Sequence, residues 1–513
     1  FCFQLVFLVL KELVFRYLEL FFKEKCMSKK KGILCILLMA AVSWGICSPA
    51  YGQSAAESVA AKSDSAAPAV AAEPTLEEQI QKIKNPTSWM TWGFDERMRA
   101  IYANNFILMN QDAVGHERRF NRFRSRLWGN FRPAENIEVN TRLVWEWRIW
   151  CNSNDGAPLS NPSSIEWDEA IFDQLNVKFK NLFDAPMDIQ VGRQEIIFGN
   201  GWLVLDGTPL DGSRTIFFDA ARLTYRFEES KTNLDLVYID QETESDRWVE
   251  PFNDQERALH EQDERGAILY LTNKSIENVQ LDGYYIWKHD MFPDNFSANH
   301  PPAWSRESDI HAFGGRVAGK IDQSWLYRAE FAQEVGRQKN WGGEGETLCA
   351  FGMNSRLDYL FNDDWKNDVH LAYEYLSGDD PSTGTDEGFD PLWARWPQWS
   401  ELYVYSYIPE TRIAETTNLH RAGFGWDADP CPKIHLANEY HLLFADENTR
   451  KDAAQFSDNG HFRGQLFTSR LSYKFSPLIS GHLLGEFLFP GNYYSEDNND
   501  VAVFLRYELT ITF

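Results

Sequence analysis

Long apolar runs are missing. Past position 52 no stretch of 18 apolar residues occurs, and the mean hydropathy of the chain is −0.44. A membrane helix needs about 20 such residues, so spanning helices are excluded there. A barrel is not excluded, because each of its strands hides apolar residues among polar ones. Cysteine is also scarce: beyond position 52 only Cys151, Cys349 and Cys431 remain. An odd number, far apart, supplies neither a disulfide framework nor metal-ligand spacing. No GxSxG, P-loop, HExxH or paired-cysteine motif appears, so no enzyme, cofactor or metal site is expected. His435, Glu439 and His441 alternate on one face of a strand. They read as separately placed polar residues rather than as a metal site.

Positive charge is short as well. Setting aside positions 1–52, with seven basic and three acidic residues, leaves 43 Lys and Arg against 72 Asp and Glu, a net charge of about −29. A chain so acidic is not expected to bind nucleic acid.

The N-terminus divides into three parts. Residues 1–26 precede Met27 and are expected to be an upstream extension of a mis-called start, with an interrupted membrane helix as the alternative. From Met27, Lys29 to Lys31 followed by the apolar run Ile33 to Val42 and the small-residue site Ala50-Tyr51-Gly52 read as a secretory signal peptide, 27–52. Residues 53–87 read as a low-complexity periplasmic leader, with a short helix between Thr75 and Lys84 before Pro86.

What is present is alternation. Val501, Val503, Leu505, Tyr507, Leu509, Ile511 and the terminal Phe513 share one face of a strand. Ala502, Phe504, Arg506, Glu508, Thr510 and Thr512 share the other. An apolar-faced final strand ending on Phe resembles the closing strand of outer-membrane barrels. Aromatics make up 15% of the chain, with 19 Trp, which suits two interfacial girdles. Eight short polar turns, near 133–136, 181–186, 229–233, 273–278, 321–324, 362–367, 427–432 and 476–477, alternate with longer loops. Eight turns join sixteen strands, and one more at each end makes eighteen; a miscounted hairpin would give sixteen. The fold expected over 88–513 is therefore an all-β transmembrane antiparallel β-barrel. Short turns would lie at the periplasmic rim and long loops outside.

The strand faces are unequal. Phe123, Leu127 and Phe131 oppose Arg118, Arg122, Arg124 and Arg126. Val139, Leu143, Trp145 and Trp147 oppose Arg142, Glu146 and Arg148. Leu223, Tyr225 and Phe227 oppose Arg222 and Arg226, and Leu471 and Tyr473 oppose Arg470. An arginine on the lipid side at the midplane costs roughly 2–4 kcal/mol, so these groups are expected to face a wet lumen. There they either attract carboxylates, sulfates or phosphates or pair with acids such as Glu138, Glu146, Glu330, Glu374, Glu439, Glu486 and Glu508. The net charge belongs instead to the outer loops: 241–264 alone carries nine acids.

One segment is more specific. Val191-Gly192-Arg193-Gln194-Glu195-Ile196-Ile197-Phe198-Gly199-Asn200-Gly201, then Arg214 and Phe218-Asp219-Ala220-Ala221-Arg222-Leu223, resembles the signature of the alginate-export outer-membrane porins, with Ala220 where that family often has Gly. Arg122 to Glu135 and Phe489-Pro490-Gly491-Asn492-Tyr493-Tyr494 are similar to further stretches of the family. The resemblance spans roughly 115–513. It implies an eighteen-stranded barrel whose arginine-lined lumen conducts a polyuronate outward. It also suggests that Arg193 belongs to a constriction, turned inward by a bulge at Gly192 and fixed by Glu195. The alternative is that both residues merely stabilise the loop bearing Gly199 and Gly201.

The longest loop, 378–417, carries Trp393, Arg395, Trp396 and Trp399. Either it packs on itself above the rim, or it folds inward as a plug or gate whose indoles and guanidinium hold acidic sugars. The function expected is an outer-membrane channel for an anionic polysaccharide. A porin for small anionic solutes and a non-conducting surface-binding barrel are the alternatives. Expected partners are that polysaccharide, the lipid bilayer with its lipopolysaccharide and the outer-membrane assembly machinery, with periplasmic export proteins as a further candidate.

Overall fold

The computed structural model describes residues 76–151, 165–205, 217–243, 249–252, 262–293, 305–340, 342–394, 397–403 and 416–513. The upstream extension, the signal peptide and most of the leader lie outside them, as do Arg395 and Trp396.

A short helix α1 (Leu76–Lys84) precedes eighteen long strands. The first nine are β1 (Met90–Asn104), β2 (Glu117–Ala134), β3 (Ile137–Trp150), β4 (Ile165–Phe179), β5 (Met187–Gln194), β6 (Phe218–Phe227), β7 (Thr232–Gln241), β8 (Asp263–Asn273) and β9 (Val279–Met291). The rest are β10 (Arg306–Lys320), β11 (Trp325–Asn340), β12 (Glu346–Leu360), β13 (Asp368–Leu376), β14 (Leu419–Cys431), β15 (Ile434–Phe444), β16 (Phe462–Lys474), β17 (Ile479–Pro490) and β18 (Ala502–Thr512). Each pairs antiparallel with its sequence neighbour, and β1 also pairs with β18, so the sheet closes. A two-residue strand, Thr385–Asp386, lies against the start of β12. All eight expected turns are present, so eighteen strands stand and sixteen do not. No described helix is long and apolar enough to cross a membrane; the crossing is made by strands.

Closure is completed by the last residue. Phe513 exchanges two backbone hydrogen bonds with Phe94 of β1, at 2.9 and 2.7 Å, and its ring meets Trp92 at 5.6 Å. The Trp92 indole N–H donates to the Ile83 carbonyl at 2.9 Å, which seats α1 beside that seam.

The burial pattern is inverted relative to a soluble protein. Phe331, Leu371, Phe313, Val191 and Leu127 are exposed, whereas Arg97, Arg99, Arg124, Glu146 and Arg506 are buried. A lipid-facing barrel requires this arrangement. Which face is inner is settled by the loops. The segment after β5 bonds to β10 and β13, and the one after β13 bonds to strands as far apart as β8 and β18. Such spans are reached only across the interior, so the face bearing Glu264, Glu334, Glu374, Glu486 and Arg506 is the inner one.

Candidate functional site

Register carries the inner face from strand to strand. Arg97 lies opposite Arg124, Arg124 opposite Glu146, Arg99 opposite Arg122 and Arg122 opposite Arg148. One wall of the barrel, β1 to β3, thereby gathers arginines from positions that alternate in sequence. Acids are interleaved among them. Arg126 Nε lies 2.9 Å from Asp95, Arg124 Nη2 3.6 Å from the same carboxylate, and Arg122 and Arg97 flank Glu146 at 4.0 and 3.9 Å. Arg99 holds Glu508 at 2.7 Å. Arg148 lies over the Phe120 ring at 5.9 Å. Further round, Arg222 pairs with Asp235 at 2.8 Å and Arg226 with Asp188 at 2.9 Å. Arg470 is exposed and donates to the Ser472 hydroxyl at 3.0 Å, with no carboxylate partner among the described residues.

Arg193 and Glu195 depart from expectation. Pairing runs through Gly192 without a register shift, so the bulge is absent there. Gly192 instead has φ 116°, and a Cβ would lie 2.4 Å from the Leu175 carbonyl oxygen, so only glycine fits. Arg193 lies opposite Leu175 and Asp219, in line with Val191 and Ile189. Its guanidinium grips Asp219 through two bonds of 3.0 Å, donates to the Phe172 carbonyl and lies 3.8 Å from the Phe217 ring centre. Glu195 does not fix it; Glu195 pairs with Arg142. The register irregularity falls in β4, where the extra residue Asp173 comes within 2.8 Å of Arg142. The conspicuous motif thus ties the β4–β6 wall together.

A second group, on β10 to β12, nine places round the ring from β1 to β3, and on β14, was not singled out in the sequence. Arg316 (β10), Arg328 (β11), Arg356 (β12) and Arg421 (β14) border a cavity of about 330 Å³. Arg316 pairs with Asp282 at 2.7 Å, Arg421 with Glu374 at 2.9 Å and Arg356 with Asp358 at 2.6 Å. Arg328 lies directly opposite Arg356 in the ladder. Among the described residues it has no hydrogen-bond or salt-bridge partner. Like charges opposed on one face repel. No two of these four arginines share a strand, so no run of sequence announced them; the same inner-face alternation was the available signal.

Two loops roof the cavity. Asn200 Oδ1 accepts from Arg316 at 2.6 and 3.0 Å, and the Trp202 indole donates to Glu374 at 3.1 Å. Gln398 donates to the Gly201 carbonyl at 2.7 Å, joining the two loops. Trp399 lies under Arg421, guanidinium to ring 5.2 Å. Trp393 is buried, and its indole donates to Glu264 at 3.0 Å. Asp390 pairs with Arg306 and donates its N–H to Glu334 at 2.9 Å. Glu486 accepts from Ser400 Oγ and the Leu402 N–H, at 2.8 and 2.7 Å, while Glu401 bridges to Arg506 at 3.0 Å. The described stretches 390–394 and 397–403 of the long loop therefore lie inside the barrel, not above it.

Solved structures similar to the chain align with it at low identity. Acinetobacter baumannii OccAB1 aligns with TM-score 0.52 and 11% identity, covering 83% of this chain and 96% of its own. Pseudomonas aeruginosa OccK7 (OpdD) aligns with TM-score 0.50 and 10% identity, covering 83% and 99%. At such identity the likeness speaks for the fold alone. None of the curated proteins matches the chain. A family model described as alginate export matches residues 88–506. With nearly the whole barrel inside that match, the chain belongs to the alginate export family and is a porin-like channel of the bacterial outer membrane.

Proposed function

We propose that the channel passes an anionic polysaccharide of the polyuronate class along its inner arginines, without chemical turnover. The observation that supports this most directly is Arg328, without a hydrogen-bond or salt-bridge partner among the described residues, opposite Arg356 and roofed by Trp202 and Trp399. A carboxylate between the two guanidiniums relieves their repulsion and gains charge-assisted hydrogen bonds. Indole faces nearby suit the apolar side of a sugar ring. The other arginines are half-neutralised by acids, so each holds an anion weakly; many weak contacts let a chain keep sliding.

A second reading, a porin for small anionic solutes, is favoured by the cavity itself. About 330 Å³ is at the small end for a ligand site, and the inward loops would have to move for a polymer to pass.

Reversal potentials of the purified protein in a planar bilayer test both. The expected result is anion preference with concentration-dependent block by oligouronates. In Arg328→Ala the block should weaken by about tenfold, the worth of roughly 1.4 kcal/mol. Cation preference with no block contradicts the proposal, and block by monouronates as strong as by oligomers selects the second reading.

A further inference from the structure

Between the arginine cavity and the short-turn rim lies a different chemistry. Asp358 (β12), Asp368 and His370 (β13) each bring one donor atom to a common point, the atoms lying within 4.8 Å of one another. Register makes the grouping: Asp358 faces His370, and Asp368 faces Asp427 of β14. The imidazole is fully buried, with Nε2 3.2 Å from Glu439 and Nδ1 4.0 Å from Asp427. Neither Nδ1 of His370 nor Oδ1 of Asp368 has a hydrogen-bond partner, although both atoms are buried. The ring also has a prepared seat. A Cβ on Gly425 would come within 2.0 Å of the imidazole, so the neighbouring strand keeps a glycine beneath it.

The charge does not balance. Asp358, Asp368, Asp427 and Glu439 are four carboxylates; Arg356 touches Asp358 at 2.6 Å and Glu439 at 4.0 Å. Glu439 also faces His441 at 3.4 Å, so the acids of the group without a hydrogen-bonded cation among the described residues are Asp368 and Asp427. Acids in a partly desolvated wall are costly unless paired or bound to a metal. An imidazole nitrogen together with carboxylate oxygens is the donor set of a first-row divalent cation, zinc foremost. Zinc bonds of about 2.0–2.1 Å set tetrahedral donors about 3.3 Å apart, so the three donors draw together from within 4.8 Å on binding.

We propose that Asp358, Asp368 and His370 form a binding site for one transition-metal dication, with Asp427 close enough to contribute. Zinc there competes with Arg356 for Asp358. On the channel reading above, that frees a guanidinium next to Arg328 and removes the repulsive acids from the path of an anion. A metal on the inner wall is thus an accessory to conduction.

The test uses the full chain folded in detergent, stripped with chelator and with its cysteines alkylated. Zinc is titrated calorimetrically, and cobalt(II) is followed by its visible d–d bands. The expected result is one equivalent of zinc and a cobalt spectrum of low coordination number. His370→Asn and Asp368→Asn should each weaken binding by about tenfold or more, in protein that retains the heat-modifiable gel migration of a folded barrel. Absence of stoichiometric binding overturns the proposal. So does binding unchanged in both folded variants, or calcium binding more tightly than zinc, which would leave the imidazole no role. None of these outcomes requires a polysaccharide, so the site can fail while the channel stands.

Discussion

At the scale of single residues, the arginines divide by what holds them. Those of β1 to β3 were legible, because Arg122, Arg124 and Arg126 alternate in one run and the apolar partners on the other face are equally regular. Arg316, Arg328, Arg356 and Arg421 were not. They lie on four strands, and only the register brings them round one cavity. Arg193 was legible as unusual but not as what it is. Its motif partner is Asp219, 26 positions on, and the irregularity that matters lies in the neighbouring strand. Arg193→Ala should therefore destabilise the barrel, leaving Asp219 without its bidentate partner, by about 3 kcal/mol. Urea unfolding in lipid vesicles measures this. An unchanged midpoint with altered ion selectivity would instead return Arg193 to the conducting path.

Among the elements, the loops hold what sequence alone left open. That 378–417 was long could be read; that its described part, to Tyr403, runs inward depends on Glu264, Glu334 and Glu486, three acids on distant strands that each accept from its N–H or indole donors. Trp393→Ala removes one such donor and leaves Glu264 to Gln241 and Lys288, at 2.8 and 3.5 Å. Replacing a buried Trp by Ala costs about 3–5 kcal/mol. Single-channel recordings should then show larger and noisier conductance; an unaltered trace would mean that the loop does not limit flow. The turn at its outer edge responds to pH. Burial, then the charge of nearby Asp386, pushes Asp379 up to about 6 from an ordinary 3.8. A folded turn that holds its proton more tightly than the open chain is most stable below about pH 4. It loses that stability as pH rises towards 6. Amide exchange over 379–390, corrected for intrinsic rates, should be slower at pH 5 than at pH 7, and the difference should vanish in Asp379→Asn.

For the whole molecule, the number of strands and the side on which the turns lie were readable because alternation and turn chemistry are local. Closure was readable only as an inference from parity, since the β1–β18 pairing joins the two ends of the barrel. The terminal residue takes a direct part in it. Deleting Phe513 removes two backbone hydrogen bonds, each worth about 1 kcal/mol, and the ring against Trp92. The heat-modifiable fraction after refolding should fall and appear more slowly. Refolding at the parental rate would show that the seam is set by β18 alone.

The long loop has a mechanical consequence. A hoop of hydrogen-bonded strands is easily pressed into an oval, but this one carries struts, since a single segment fastens β8, β11, β17 and β18 to one another. Any flattening by the surrounding lipid would load the Trp393–Glu264 contact, where that strut is fastened to β8. Lateral pressure in the membrane and the resistance of the bore are thereby linked through one tryptophan.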